Sequence, residues 1–330
     1  MAYLFLVTIG PVQEFIAGAR RTRDLWFGSW ILSELSRTAA LAVHAPEMGR
    51  RLVFPNPGAD LSDRERGVVN RIIAEVTGGP EPAELGRDVE QALRARLSAI
   101  RDQAFGPQRI SWDERFPQLR ELAEKQVDEL IEVFWVAATI SGSYQKARAR
   151  LEDFMSARKN TRLFPISACP PDLRLPKSSI DGIRESVIPE ELYPKRTETR
   201  EERARKAEQL YRRYRAGRAE RLSGVDLLKR RGNRDGSDHA DDLADFPSTS
   251  HFAALPFLRR IAQHAAFDQA RDEYIRKLHE LDLKPERLAP RYAHVSRFGG
   301  FDASILFEER LAEEADPATI AAAQAYLRAF

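Results

Sequence analysis

The stretch Gly10–Arg37 reads GPVQEFIAGARRTRDLWFGSWILSELSR, and it follows an apolar run, AYLFLVTI, that ends at Ile9. Residues 3–9 stay apolar for the length of a strand, and Gly10-Pro11 stops it. Beyond that point Val12, Phe15, Ile16, Ala19, Trp26, Phe27, Trp30 and Ile31 recur at helical spacing. The pattern predicts a strand, a tight turn and a long amphipathic helix. Pro11 suits the first helical position, because its missing N–H has no intrahelical partner there. Gly28-Ser29 marks a kink or break before WILSEL. A helix that starts straight after a strand also leaves the N–H groups of Val12, Gln13 and Glu14 unpaired at its positive end, which favours an anion such as phosphate. Most such junctions bind nothing, so this signal alone assigns no site.

Working outward, RLVFPNP (51–57) reads as a second strand ended by proline. The next segment, about 62–130, reads as a helical insertion made of DRERGVVNRIIAEV, ELGRDVEQALRARLSAIRDQA and QLRELAEKQVDELI. EVFWVAATI (132–140) is rich in β-branched and aromatic residues, as a central strand would be, and SYQKARARLEDFMSARKN returns to helical periodicity. After Leu163, prolines 165, 170, 171, 176, 189 and 194 punctuate an irregular segment. A basic helical run, ETREERARKAEQLYRRYRAGRAERL, comes next. FPSTSHFAALPFLRRIAQHAAFDQARDEYIRKLHEL is helical with Ser248 or Ser250 as N-cap, and RYAHVSRFGGFDASILFEERL reads as two short strands around Gly299-Gly300. The whole is α+β: a ferredoxin-like domain over 1–192 carrying the insertion, then a mainly helical domain over 193–330.

The composition is that of a soluble globular chain of 330 residues, 43% apolar and 9% aromatic. No apolar run approaches membrane-spanning length and no cleavage-site pattern follows the start, so a cytoplasmic location is expected. A lone cysteine, Cys169, excludes a disulfide framework and a multi-cysteine zinc site within this chain. Net charge is only +2, yet Lys195–Arg234 holds 15 Lys/Arg against 6 Asp/Glu, a local excess of 15 − 6 = +9. Asp235, Asp238, Asp241, Asp242 and Asp245 follow at once. Such a run is either a solvated face or a phosphate-backbone contact.

Few constellations carry chemistry. Lys177, Ser178, Ser179, Asp181 and Arg184 suit a triphosphate and ribose, or equally a turn whose side chains bond their own backbone, which composition favours. Ser248, Thr249 and Ser250 carry the same ambiguity against helix capping. Histidines 44, 239, 251, 264, 279 and 294 are scattered, and none precedes an Asp. His239 amid Asp238, Asp241 and Asp242 is a thin metal signal. There is no P-loop, dinucleotide fingerprint or HExxH. In Gly299-Gly300-Phe301-Asp302 only one carboxylate is present, whereas two-metal chemistry needs several.

The opening stretch resembles the first palm domain in the large subunit of type III-B (Cmr) CRISPR effector complexes. The residues that carry this are Ile9-Gly10-Pro11-Val12-Gln13, Phe15-Ile16, Ala19-Arg20, Thr22, Asp24-Leu25-Trp26, Gly28-Ser29 and Leu32-Ser33-Glu34-Leu35. ARKNTRLF (157–164), PKSSIDGIRESVIP (176–189), SGVDLLKRRG (223–232) and FPSTSHFAALP (246–256) extend the likeness over most of the chain. The chain starts directly at the palm, without the family's HD nuclease domain, and the second palm, with its DGD and GGDD carboxylates, is expected after about Phe330. Ser223 stands where the family carries a zinc-binding cysteine, so no zinc is expected.

The resemblance implies the non-catalytic palm half of a split or truncated large subunit. With a GGDD-bearing partner chain it would bind ATP and make cyclic oligoadenylates, the Mg²⁺ ions riding on the partner's carboxylates. The implied nucleotide half-site is Gly10, Pro11, Gln13, Lys177, Ser178, Ser179, Asp181, Ser248, Thr249 and Ser250. The implied contacts to guide RNA, target RNA or neighbouring effector subunits are Arg20, Arg21, Arg23, Arg212, Arg213, Arg215, Lys229 and Arg230. The alternative is a purely structural, RNA-binding assembly subunit with no nucleotide site.

Overall fold

The computed structural model describes residues 1–56, 58, 60–63, 67–161, 174–233, 247–281, 283, 285, 287–288, 297–311 and 317–330. Cys169, His239, His294 and the acidic run 235–245 lie outside the described residues. Two compact units are present: Met1–Arg20 with Asp24–Gly236, and Arg21–Arg23 with Ser237–Phe330.

The first unit is built on β1 (Tyr3–Gly10), whose unbroken apolar run is explained by burial on both faces. Tyr3, Phe5, Val7 and Ile9 enter the main core, while Leu4 and Leu6 enter a smaller cluster on the opposite face. The turn after β1 contains a cis Gly10-Pro11 bond. The chain continues through α1 (Gln13–Ala17), α2 (Thr22–Val43), β2 (Arg50–Phe54), β3 (Arg71–Val76), α3 (Pro82–Phe105), α4 (Pro117–Asp128), β4 (Glu132–Thr139) and α5 (Tyr144–Asn160). The four strands form one sheet in the order β2-β3-β1-β4. Every pairing is antiparallel, with Phe5 opposite Ala74 on one side and Ala137 on the other.

In this unit four sequence expectations are corrected. The helix after Gly10 breaks at Gly18–Arg21, not at Gly28-Ser29, and Pro11 precedes α1 instead of opening it. RIIAEV is not helical. It is β3, where Ile72 and Ala74 enter the main core and Ile73 the opposite cluster, so the adjacent isoleucines fill both faces of a strand. EVFWVAAT is a strand, but it lies at the edge of the sheet, with only Phe134 and Ala138 fully buried. Its Trp135 stacks on Phe5 and covers α3 where Gly86 leaves room; a Cβ there would meet the indole at 2.2 Å. Gly86→Ala is therefore expected to cost about 1–3 kcal/mol by overpacking, read as a lower denaturation midpoint with an unchanged urea slope.

Helices α2, α3 and α4 cover one face of the sheet through rows such as Leu85, Val89, Leu93 and Leu97. Helix α5 covers the other through Ala147, Leu151 and Met155. Residues 193–233, read from sequence as part of the helical half, form α6 (Arg200–Tyr214) and α7 (Gly224–Arg231). Their Leu210, Tyr214, Leu227 and Leu228 belong to the main core.

The second unit packs α8 (Thr249–Ile261), capped by Ser248 as expected, and α9 (Phe267–Glu280) around Leu258, Tyr274, Leu278 and Phe298. Gly299 and Gly300 take positive φ in a turn that brings Phe301 opposite Arg287. The expected second strand is instead a 3₁₀ turn, Ala303–Leu306, because Asp302 accepts from Ser304 N and caps it. Among the described residues no helix is long and apolar enough to cross a membrane.

Candidate functional site

The opening stretch meets α7 in a buried polar junction. Its centre is Arg230, whose side chain is 1% exposed. The Arg230 Nε and Nη2 groups donate to the Asp24 carboxylate at 2.8–3.0 Å, and Nη1 donates to Glu220 and to the Arg215 carbonyl. Burial works against the guanidinium's charge, but Asp24 and Glu220 outweigh it and hold its pKa above the ordinary arginine value. Its neighbour in the chain, Lys229, donates to the carbonyls of Phe15 and Gly18, which α1 leaves unpaired at its end. The Lys229 ammonium lies 5.0 Å over the Phe15 ring, and burial lowers its pKa against the pull of Asp226 and Asp24.

Close approach here depends on two glycines. A Cβ on Gly28 would stand 3.2 Å from the Lys229 stem, and one on Gly232 would stand 2.0 Å from the Phe27 ring. Gly28 thus serves packing inside a continuous α2. Phe15, Asp24, Phe27 and Gly28, all within the opening stretch, answer to KRRG at the end of α7.

The other end of α7 is tied to the 176–188 segment. Asp226 is 2% exposed, and its Oδ2 accepts from Ser223 N, Ser223 Oγ and Ser178 Oγ at 2.7–2.8 Å. Burial raises the Asp226 pKa, and the hydroxyls of Ser223 and Ser178 oppose that shift. Gln126 of α4 links both elements, donating to Glu185 O and accepting from Gly224 N. Ser223 and Asp226 form a capping box, a spacing visible in SGVD. The roles of Asp24, Gln126 and Asp226 were not read from the sequence, since their partners lie far away along the chain.

The sequence-derived site residues fall as follows. Gly10 ends β1, opposite Glu132. Gln13 is exposed, and α1 has only five residues, so its end carries far less of the dipole that a long helix would supply. Ser178 is 3% exposed, donates a hydrogen bond to Asp226 and accepts from the N–H groups of Ile180 and Asp181. Ser179 bonds with the backbone of Arg221, and Asp181 accepts from Ile183 N and Arg184 N. The loop is therefore the self-bonded turn that composition favours. Lys177 pairs with Glu185 and keeps 55% of its side chain exposed.

In the second unit Ser248 caps α8 and donates to Asp302, with Thr249 and Ser250 in the helix's first turn. Of the cations, Arg20 is exposed and donates to Ser179 O, and Arg212 is exposed. Arg21 is half-buried, and Arg23 is buried. Arg213 reaches Ser111 O, and Arg215 stacks on Tyr211. Lys229 and Arg230 are interior groups, 2% and 1% exposed, and not surface contacts. Part of the +9 excess is thus met by acids elsewhere in the chain, among them Asp24, Asp113 and Glu190. Among the described residues no three His, Cys, Asp or Glu side chains converge as metal ligands.

Residues 4–102 match the family model described as CRISPR-associated protein Cmr2, N-terminal. No curated protein matches the chain. Among solved structures, a chain of the type III-B Cmr-beta complex in its apo state is similar, with a TM-score of 0.60 and 14% identity over 92% of this chain and 40% of that one. A chain of type III-B Cmr-beta bound to cognate target RNA gives 0.61 and 14%, over 99% of this chain and 43% of the other. The chain therefore spans about two fifths of the length of the solved chains it resembles. At that identity the likeness is one of fold.

Proposed function

We infer that this chain is the first-palm portion of the large subunit of a type III-B CRISPR effector complex. The observation that carries the reading is the Cmr2 amino-terminal match over 4–102, the region that holds β1, its Gly-Pro turn and the side chains that receive α7. A β-α-β-β-α-β order with an antiparallel β2-β3-β1-β4 sheet supports a ferredoxin-like palm, with α5 added on the second face.

In this reading the end of β1 forms one wall of an ATP site completed by a GGDD-bearing palm. In the first unit the exposed polar groups of this half-site are Gln13 and Lys177, which would hold phosphate by hydrogen bond and charge. Ser178, Ser179 and Asp181 would shape the loop from behind. Divalent ions would neutralise developing phosphate charge on the partner's carboxylates. Guide and target RNA and the other effector subunits are the partners.

The test is to combine the chain with the GGDD-bearing chain and the remaining effector subunits, add ATP and Mg²⁺, and assay oligoadenylates upon addition of target RNA. Absence of both assembly and product would overturn the reading. Lys177→Ala is expected to weaken ATP binding by about tenfold or more, the worth of one charged hydrogen bond; unchanged affinity would make the loop structural only. The internal bonding of Ser178, Ser179 and Asp181 favours a second reading, an assembly subunit that fastens RNA and protein without a nucleotide.

A further inference from the structure

The cations of α6 and those of α5 are placed differently. On α6 the exposed charges alternate in sign, Arg200, Arg203, Arg205 and Arg212 being interspersed with Glu201, Glu202 and Glu208. On α5 a single i, i+4 ridge carries Lys146, Arg150, Phe154 and Arg158, all exposed. The ridge runs about 18 Å along the helix at 1.5 Å per residue. Neither Lys146 nor Arg150 meets a carboxylate among the described residues. The nearby Glu152 is held by Arg71 and Arg148, which leaves Asp153 as the one exposed acid beside three cations. Phe154 stands 48% exposed between Arg150 and Arg158 although Leu151 and Met155, its neighbours on the helix, are buried against the sheet.

We propose that this ridge of α5 binds single-stranded RNA, with Lys146 and Arg150 on neighbouring phosphates, Arg158 on one further along the strand and Phe154 stacked on an unpaired base between them. Regularly spaced cations recognise a polyanion with regularly spaced charges, and an exposed ring within them suits a base whose face is free. A duplex would offer the ring no open base. The choice of RNA as the strand rests on the effector reading; the surface itself rests on charge and geometry.

The test titrates the full chain into a labelled mixed-sequence RNA of about 20 nucleotides at several salt concentrations, with DNA of the same sequence alongside. K146Q/R150Q is expected to weaken binding about tenfold at low salt and to lower the log–log salt slope by about 1.4, roughly 0.7 per phosphate contact. F154A is expected to weaken it at least about fivefold with the slope unchanged, as loss of stacking would. R203Q/R205Q on α6 should stay within about twofold. Equal losses from the α5 and α6 variants, wild-type binding by K146Q/R150Q, or tighter binding of DNA would each overturn the proposal. So would unaltered RNA binding with failed subunit assembly, which would make the ridge a contact for an acidic protein. RNA binding through α5 by a chain that joins no effector complex would refute the effector reading and not the ridge.

Discussion

Asp24→Asn is expected to destabilise the first unit by about 3–5 kcal/mol, the cost of leaving a buried charge without its counter-charge. Asp24 and Arg230 are 2% and 1% exposed at the side chain, so water cannot replace the lost carboxylate. The amide would also turn a donor toward a group that has only donors. Glu220 remains, but it is reached by Nη1 alone, whereas Asp24 receives Nε and Nη2 together. Chemical denaturation reads the loss directly. Because the pair is shielded from solvent, the cost should change little between low and high salt. Asp24→Leu combined with Arg230→Met should retain more stability than Asp24→Leu alone, since no buried guanidinium is left without its main counter-charge and Glu220, 14% exposed, still accepts from Gly217 N. A loss for Asp24→Asn below about 1 kcal/mol would show that solvent reaches the junction.

That ion pair also shows what the sequence conceals. The strand-turn-helix order of the opening stretch was legible because apolar spacing reports burial locally, and so were α3, α4 and α5. RIIAEV was misread because two adjacent isoleucines fit a helix face and a doubly buried strand equally well. Only the pairing of β3 with β1 and β2 decides between them. The basic run from Lys195 was misread in part for a different reason. Charge counted along a chain ignores acids that return from afar, and Asp24 lies 206 residues from Arg230. Gly28 looked like a helix break because its lack of a side chain was weighed as backbone freedom, when its use is to admit Lys229. In the loop at 177–181 the favoured local reading was right about the bonding, since Ser and Asp turns are closed by neighbours two or three residues on. What composition could not supply was Asp226, the distant acceptor that fixes Ser178.

Asp226→Ala is expected to cost about 3 kcal/mol at neutral pH, and its cost should depend on pH in a direction opposite to that of most carboxylates. The substitution leaves Ser178 Oγ, Ser223 Oγ and Ser223 N without their shared acceptor in the interior, at about 1–3 kcal/mol for each group that finds no other. An ordinary ion-paired carboxylate has a depressed pKa when folded, and its contribution fades on acidification. Asp226 is pushed the other way by burial. Between its unfolded and its raised folded pKa the native state binds more protons than the unfolded chain. The stability linked to this group is therefore fully present below the unfolded value and is lost as pH rises through the folded one. The stability difference between wild type and Asp226→Ala should accordingly widen as pH falls from neutrality toward the carboxylate range, measured by denaturation at each pH so that titrations shared by both proteins cancel. A difference that narrows on acidification would mean that the three donors and Lys229 outweigh burial and keep the carboxylate ionised. Ser178→Ala removes one donor and leaves the carboxylate in place, so its cost should be smaller, about 1 kcal/mol. Either substitution also loosens the loop that presents Lys177. If that loop helps to hold phosphate, Asp226→Ala should weaken ATP binding without removing any group that touches it.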